Sequence, residues 1–191
     1  MGKLQSRKNY SIISEEIGEI KNLDKDNVWI IDPIDGTTNF MHGIPHFAIS
    51  IALKSNDEII TGLIFDPIKN EIFYAEKDNG AYFNNQRIRV SKKRSIKECL
   101  FATGGKEEID YKLNTRKTGS AALDLAYVGA GRYDGYFQKK LNIWDIAAGI
   151  IIVKEAGGRI NDIDYSTYKN INVLASSTSM YENMLKNLNN F

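Results

Sequence analysis

The chain has 191 residues, 42% of them hydrophobic and 26% charged, which is enough for one globular domain with a substantial core. Lys and Arg total 25 against 24 Asp and Glu, so there is no basic excess of the kind that nucleic-acid binding needs. The lone cysteine, Cys99, excludes an internal disulfide and a cysteine-based zinc site, and fits a reducing compartment.

The opening residues are polar and predict no element. Tyr10 to Ser14 reads as a short strand, followed by acidic, turn-forming residues through Asn27. Val28 to Ile31 is wholly apolar, as in a buried strand, and is predicted to end at Asp32-Pro33 because proline cannot donate to a central ladder. From His46 to Leu53 the residues alternate, with Phe47, Ile49, Ile51 and Leu53 on one face. Strands follow at Ile59–Phe65, Ile72–Ala75, Gly80–Phe83 and Arg87–Val90, separated by the turn signals Asn56-Asp57, Lys69-Asn70 and Asn84-Asn85. This is the pattern of an antiparallel meander.

The second half changes character. Ser120 to Ala130 and Ile146 to Ala156 read as helices, the latter apolar nearly all round and closed by Gly157-Gly158. Strands are predicted at Gly135–Phe137, Arg159–Asn161 and Val173–Ala175, with a last helix from about Ser179. The order of elements predicts a layered α/β arrangement, one domain over residues 1–191. The N-terminus lacks a signal-type apolar stretch, and the longest apolar run, Ile146 to Val153, is too short to span a bilayer. The expectation is a cytoplasmic protein with no membrane partner, whose Lys92-Lys93-Arg94 run is a solvated loop.

Asp32 and Asp35 flank Pro33-Ile34 directly after the apolar strand, with Gly36-Thr37-Thr38 next. Pro33 stiffens the turn. Two carboxylates held this close repel unless a cation lies between them, and oxygen-only ligands suit magnesium or manganese. If Gly36 and Thr37 open a helical turn, their free N–H groups face an anion such as phosphate. The alternative is a pair of ordinary Asp-Pro and Asp-Gly turns. Asp145, ahead of the apolar helix, is either its N-cap or a further ligand. Glu15 and Glu16 are either a solvated pair or ligands. Thr118 to Ala122 could let a phosphate or sugar approach a helix start, or could simply pack tightly. His42 and His46 surround Gly43 and Pro45, which rules out a zinc-binding helix pair, and are given no catalytic role.

Together these segments resemble the inositol monophosphatase family. Trp29-Ile-Ile-Asp-Pro-Ile-Asp-Gly-Thr-Thr-Asn-Phe40 matches its first signature. Trp144-Asp-Ile-Ala-Ala-Gly149 with Glu155-Ala-Gly-Gly158 matches its second, and Ser14-Glu-Glu16 its upstream acidic pair. The likeness runs from about Tyr10 to the C-terminus. It implies a layered αβαβα sandwich of the sugar-phosphatase type and hydrolysis of a small phosphomonoester such as myo-inositol 1-phosphate. It also implies about two or three magnesium ions per site, lithium sensitivity and a homodimer.

Carried over, one ion is held by Glu15, Asp32 and the Ile34 carbonyl, and another by Asp32, Asp35 and Asp145. Glu15, Asp35 and Thr37 form the catalytic set, with Thr37 and Glu15 orienting the attacking water. Gly36 and Thr37 bind phosphate oxygens, while Gly119, Ser120, Ala121, Gln138 and Asp145 contact the substrate. Gln138 stands where inositol-specific relatives usually carry glutamate, which keeps fructose 1,6-bisphosphate and histidinol phosphate open as substrates. Family members usually carry some tens of residues before the acidic pair, forming two helices; here 14 precede Glu15, and the stretch from Gly105 to Thr115 is also short. The expectation is therefore a shortened member without the N-terminal helix pair. A non-catalytic accessory role in transcription or ribosome assembly is the alternative from another class.

Overall fold

A computed structural model describes residues 9–105 and 113–188. Most of the shortened stretch after Gly105 lies outside them. The first half forms an eight-stranded sheet from β1 (Tyr10–Ser14), β2 (Gly18–Ile20), β3 (Asp24–Asp35), β4 (Ala48–Ser55), β5 (Glu58–Asp66), β6 (Glu71–Glu76), β7 (Gly80–Phe83) and β8 (Gln86–Arg87). Its order is β2-β1-β3-β4-β5-β6-β7-β8. β1 and β3 run parallel and every other neighbouring pair antiparallel, so the predicted meander forms from β3 onward.

The second half supplies a five-stranded sheet: β9 (Phe101–Ala102), β10 (Thr115–Arg116), β11 (Gly135–Leu141), β12 (Gly158–Ile160) and β13 (Ile171–Ser177), in the order β10-β9-β11-β13-β12. The helices are α1 (Thr37–Met41), α2 (Ala121–Gly129), α3 (Ile143–Glu155) and α4 (Tyr181–Asn187).

α3 explains the layering. Ile143, Ile146, Ile150 and Ile152 are all at most 1% exposed, because apolar residues ring the helix and both sheets must cover it. One core cluster joins α2 and α3 to Ile30, Ala52, Ile64 and Phe73 of the large sheet and to Tyr136, Val173 and Ala175 of the small one. The alternate residues Phe101, Phe137 and Leu174 point to the small sheet's other face, where Met180, Tyr181, Met184 and Leu188 cover them. The layers are thus sheet, helix pair, sheet and C-terminal helix. No helix among the described residues covers the outer face of the large sheet.

Small residues set how closely these layers approach. At Gly62 in β5, an added Cβ would lie 2.6 Å from Ile151 Cγ2 and 2.7 Å from the Ala148 carbonyl oxygen. The carbonyl is helix backbone and cannot yield. Gly62→Ala is therefore expected to cost about 2 kcal/mol or more, read as a lower urea midpoint at unchanged m-value.

Several boundaries differ from expectation. The acidic stretch before Asn27 contains β2 and the start of β3. β8 stops at Arg87, and Val90 gives its N–H to the Ala156 carbonyl at 3.1 Å instead of to a ladder. β9 and β10 are two-residue strands whose partners lie far away in sequence, which left no local pattern to read. No described helix is long and apolar enough to cross a membrane.

Candidate active site

The predicted strand end at Asp32-Pro33 is overturned: β3 runs on to Asp35. Asp32 faces Ser50 and Asp35 faces Ala48, so two residues on β3, Pro33 and Ile34, oppose one on β4. That is a β-bulge, a position where proline is tolerated. The Ile34 N–H, freed from the ladder, donates to Asp32 Oδ1 at 2.9 Å. In an unbroken strand, residues three apart point to opposite faces. The bulge's extra residue cancels that, and Asp32 (1% exposed) and Asp35 (6%) are buried on the same side.

α1 begins immediately after, as the sequence suggested. Gly36 has φ +92°, and a Cβ there would lie 3.1 Å from the His46 carbonyl oxygen, so only glycine makes this turn without strain. Thr37 Oγ1 donates to the Ile34 carbonyl at 2.9 Å.

Asp145 reaches the bulge from α3. It is not the N-cap: α3 starts at Ile143, Asn142 caps it, and Asp145 in the first turn accepts the Asn142 N–H at 2.8 Å. The carboxylates of Asp32, Asp35 and Asp145 each offer an oxygen within 4.8 Å of the others. Ser120, the N-cap of α2, donates its hydroxyl to Asp35 Oδ2, which also accepts the Ala122 N–H at 3.0 Å.

Glu15 follows β1, and its N–H lies 3.4 Å from the Ile31 carbonyl, beside Asp32. Its side chain is exposed and stands outside the tight trio, yet its charge is felt at both Asp32 and Asp145. Glu16 is exposed.

Burial dominates the electrostatics. It raises Asp32 to about 8, with further contributions from Asp35, Glu15 and Asp145, raises Asp35 to about 7 and raises Asp145 to about 6. Three acids that resist ionising together form a set that a hard dication satisfies, since it repays both the desolvation and the repulsion. All their donors are oxygens, so the residues fit magnesium or manganese and do not fit a thiolate metal.

Beside the trio opens a cleft of about 250 Å³, lined by Asp35, Gly119, Ser120, Ala121, Gln138 and Asp145, and also by Gly104, Asp124 and Leu141. Among the described residues, no Lys or Arg lines it. The Gln138 side-chain carbonyl accepts the Tyr136 hydroxyl at 2.6 Å, which turns its amide N–H groups to serve as donors.

Two contributors escaped the sequence reading. Asp124, on α2, is 1% exposed, is held well above the carboxylate range chiefly by burial, and accepts the Thr118 hydroxyl at 2.8 Å. Asn39 donates to the carbonyls of His46 (2.8 Å) and Thr118 (2.9 Å), tying α1 to the loop that opens α2. Asn39 meets Thr118 across 79 positions and Asp124 meets the same residue across six, so neither pairing showed as a motif. His42 merely ends α1, and His46 packs edge-on against Tyr127.

In a two-sheet α/β layer with a helix pair inside, buried carboxylates that could hold a hard cation converge beside a small cleft. The profile of the inositol monophosphatase family matches residues 3–190, and the chain belongs to that family. The inositol-1-monophosphatase of Caulobacter vibrioides is 39% identical over 96% of this chain and 80% of its own length. The Nus factor SuhB of Haemophilus influenzae is 41% identical over 96% and 75%. The solved structure of the extragenic suppressor protein suhB from Bartonella henselae superposes with a TM-score of 0.90 at 42% identity, covering 96% of this chain and 81% of that one.

Proposed function

We propose that this chain is a phosphoric monoester hydrolase acting on a small phosphorylated polyol or sugar, myo-inositol 1-phosphate first, with magnesium as its cofactor. The observation that carries this reading is the charge of the cleft: Asp35, Asp124 and Asp145 line it, and no cationic side chain among the described residues does. A phosphate enters such a space only with positive charge supplied by a cation, and the carboxylate trio is where that cation fits.

Asp32, Asp35 and Asp145 would hold it, with Glu15 and the Ile34 carbonyl completing the ligand set. Bound there, the metal supplies charge neutralisation for the phosphate and the leaving alkoxide and makes a water acidic enough to attack. Thr37 spends its hydroxyl proton on Ile34, so its oxygen presents lone pairs that accept from a water and orient it. Glu15, exposed beside Asp32, is the base within reach of that water. The opening N–H groups of α1 lack intrahelical acceptors and face the phosphate, with Gly36 at their head. Ser120 and Ala122 hold Asp35 through one oxygen and leave the other for the site. Gln138 offers N–H donors to a substrate oxygen, which a glutamate would not. Residues 1–191 act as one cytoplasmic domain, paired as a homodimer and inhibited by lithium.

The test is phosphate release from myo-inositol 1-phosphate, fructose 1,6-bisphosphate and histidinol phosphate, with magnesium and with EDTA. Magnesium-dependent release from at least one is expected, and Gln138→Glu should shift the order toward inositol 1-phosphate. No release from any of the three by the folded, metal-loaded chain would sink the reading. Relatives named as Nus factors favour an accessory role as the second reading, which Asp35→Asn would leave intact.

A further inference from the structure

The geometry points to a second anion site, far from the carboxylates, that takes the phosphate of a small organic phosphate. It is a cleft of about 430 Å³ between the segment after β8 and the C-terminal end of α3, within the size range of small-molecule pockets. Arg89, Lys92 and Arg94 form one wall, and no acidic residue among those described lines it.

The Lys92-Lys93-Arg94 run is not a uniform solvated loop. Lys93 turns away and spends its ammonium on Asp134 Oδ2 and the Glu98 carbonyl, both at 3.0 Å. Lys92 and Arg94 both line the cleft. Neither has an ion pair among the described residues, and Arg89 donates only to the adjacent Ile88 carbonyl at 2.9 Å. Several cations elsewhere are matched, among them Lys69 with Asp66, Arg132 with Glu71 and Arg159 with Glu182. Three unmatched positive groups around one recess are the arrangement that phosphate satisfies, and the two guanidinium forks add geometry to the charge.

The opposite wall is prepared for an anion. A helix C-terminus would repel one through its free carbonyls. Here the Ala156 carbonyl accepts the Val90 N–H at 3.1 Å and the Gly157 carbonyl accepts the Thr178 hydroxyl at 3.1 Å. These bonds, with Ser179 Oγ donating to the Lys93 carbonyl at 3.0 Å, tie the two walls together before any ligand arrives. Val90 and Ala156 give the recess an apolar floor for the ligand's carbon skeleton. Asp145 and Ala156 sit at opposite ends of α3, about 16 Å apart at about 1.5 Å per residue, so the recess is separate from the catalytic cleft.

The experiment titrates the 15N-labelled protein with inorganic pyrophosphate and with glucose 6-phosphate in EDTA at low salt, so that the carboxylate site has no metal to recruit phosphate. Saturable amide shifts are expected at Gly157, Thr178 and Ser179. The triple variant Arg89→Gln, Lys92→Gln, Arg94→Gln should weaken binding about tenfold or more. A control with the same charge loss on exposed residues, Lys25→Gln, Lys169→Gln, Lys186→Gln, should stay within about twofold of the parent. If the first triple variant does not fold, Lys92→Gln alone should weaken binding about threefold. No saturable shift, shifts centred on Gly36 and Thr37, equal weakening by the control, or a Lys92→Gln protein that binds like the parent would each overturn the proposal.

Discussion

Asp35→Asn is expected to lower magnesium-dependent phosphate release by on the order of a thousandfold or more while leaving the metal-free fold at least as stable as the parent. Asp35 is buried, and one of its oxygens is already committed to Ser120 and Ala122. Asparagine keeps an acceptor for those two donors. Its N–H2 then occupies the position that a cation would approach, and removes a negative oxygen ligand. The same change relieves the desolvation and the repulsion from Asp145 that raise this carboxyl to about 7. Activity assays and urea melts in EDTA read the two halves separately. Unfolding of the variant would show Asp35 to be a structural acid and not a ligand; retained activity would remove it from the metal site.

The second large effect lies in the pH dependence of stability. Asp32, Asp35 and Asp145 are raised to about 8, 7 and 6, so the folded chain keeps protons that the unfolded chain releases near pH 4. Where the native state binds more protons, unfolding free energy falls as pH rises. In EDTA, stability is therefore expected to drop between pH 5 and 8, by on the order of several kcal/mol, or about 10 °C in Tm. His46, held below its usual range by burial, works in the opposite direction near pH 6, one group against the trio and Asp124, which burial also raises. Asp66, held low by Lys69, matters only at more acid pH. Millimolar magnesium or manganese should restore the loss at pH 8 and do little at pH 5, because binding to the ionised trio competes with protonation. A metal-free Tm that rises across this window, or a metal effect equal at both ends, would contradict the arrangement of charges described above.

The two predictions also separate the enzymatic reading from the accessory one. A scaffold acting through its surfaces has no use for three buried acids that destabilise it at neutral pH. Their cost is accounted for if they bind a cation in the working state.

What the sequence determined by itself follows from short-range chemistry. The nearly all-apolar run of Ile146 to Ala156 and the alternation from His46 to Leu53 specify a buried helix and a strand of a meander, since each depends only on neighbours along the chain. Asp-Pro-Ile-Asp-Gly-Thr-Thr, with Trp144-Asp145 and Ser14-Glu-Glu16 in order, named the family and its acids. Tertiary structure decided the rest. Proline in β3 argued for a strand end, but packing on β4 made it a bulge, and the bulge puts Asp32 and Asp35 on one side. Asp145 looked like a cap, yet Asn142 takes that role because α3 begins one turn earlier. Ser120 and Asn39 meet their partners across more than 75 residues, and β9 and β10 form only by pairing with each other and, through β9, with β11. Those bonds depend on which layers fold together, a long-range outcome of burying α3 between two sheets, and no local pattern carries it.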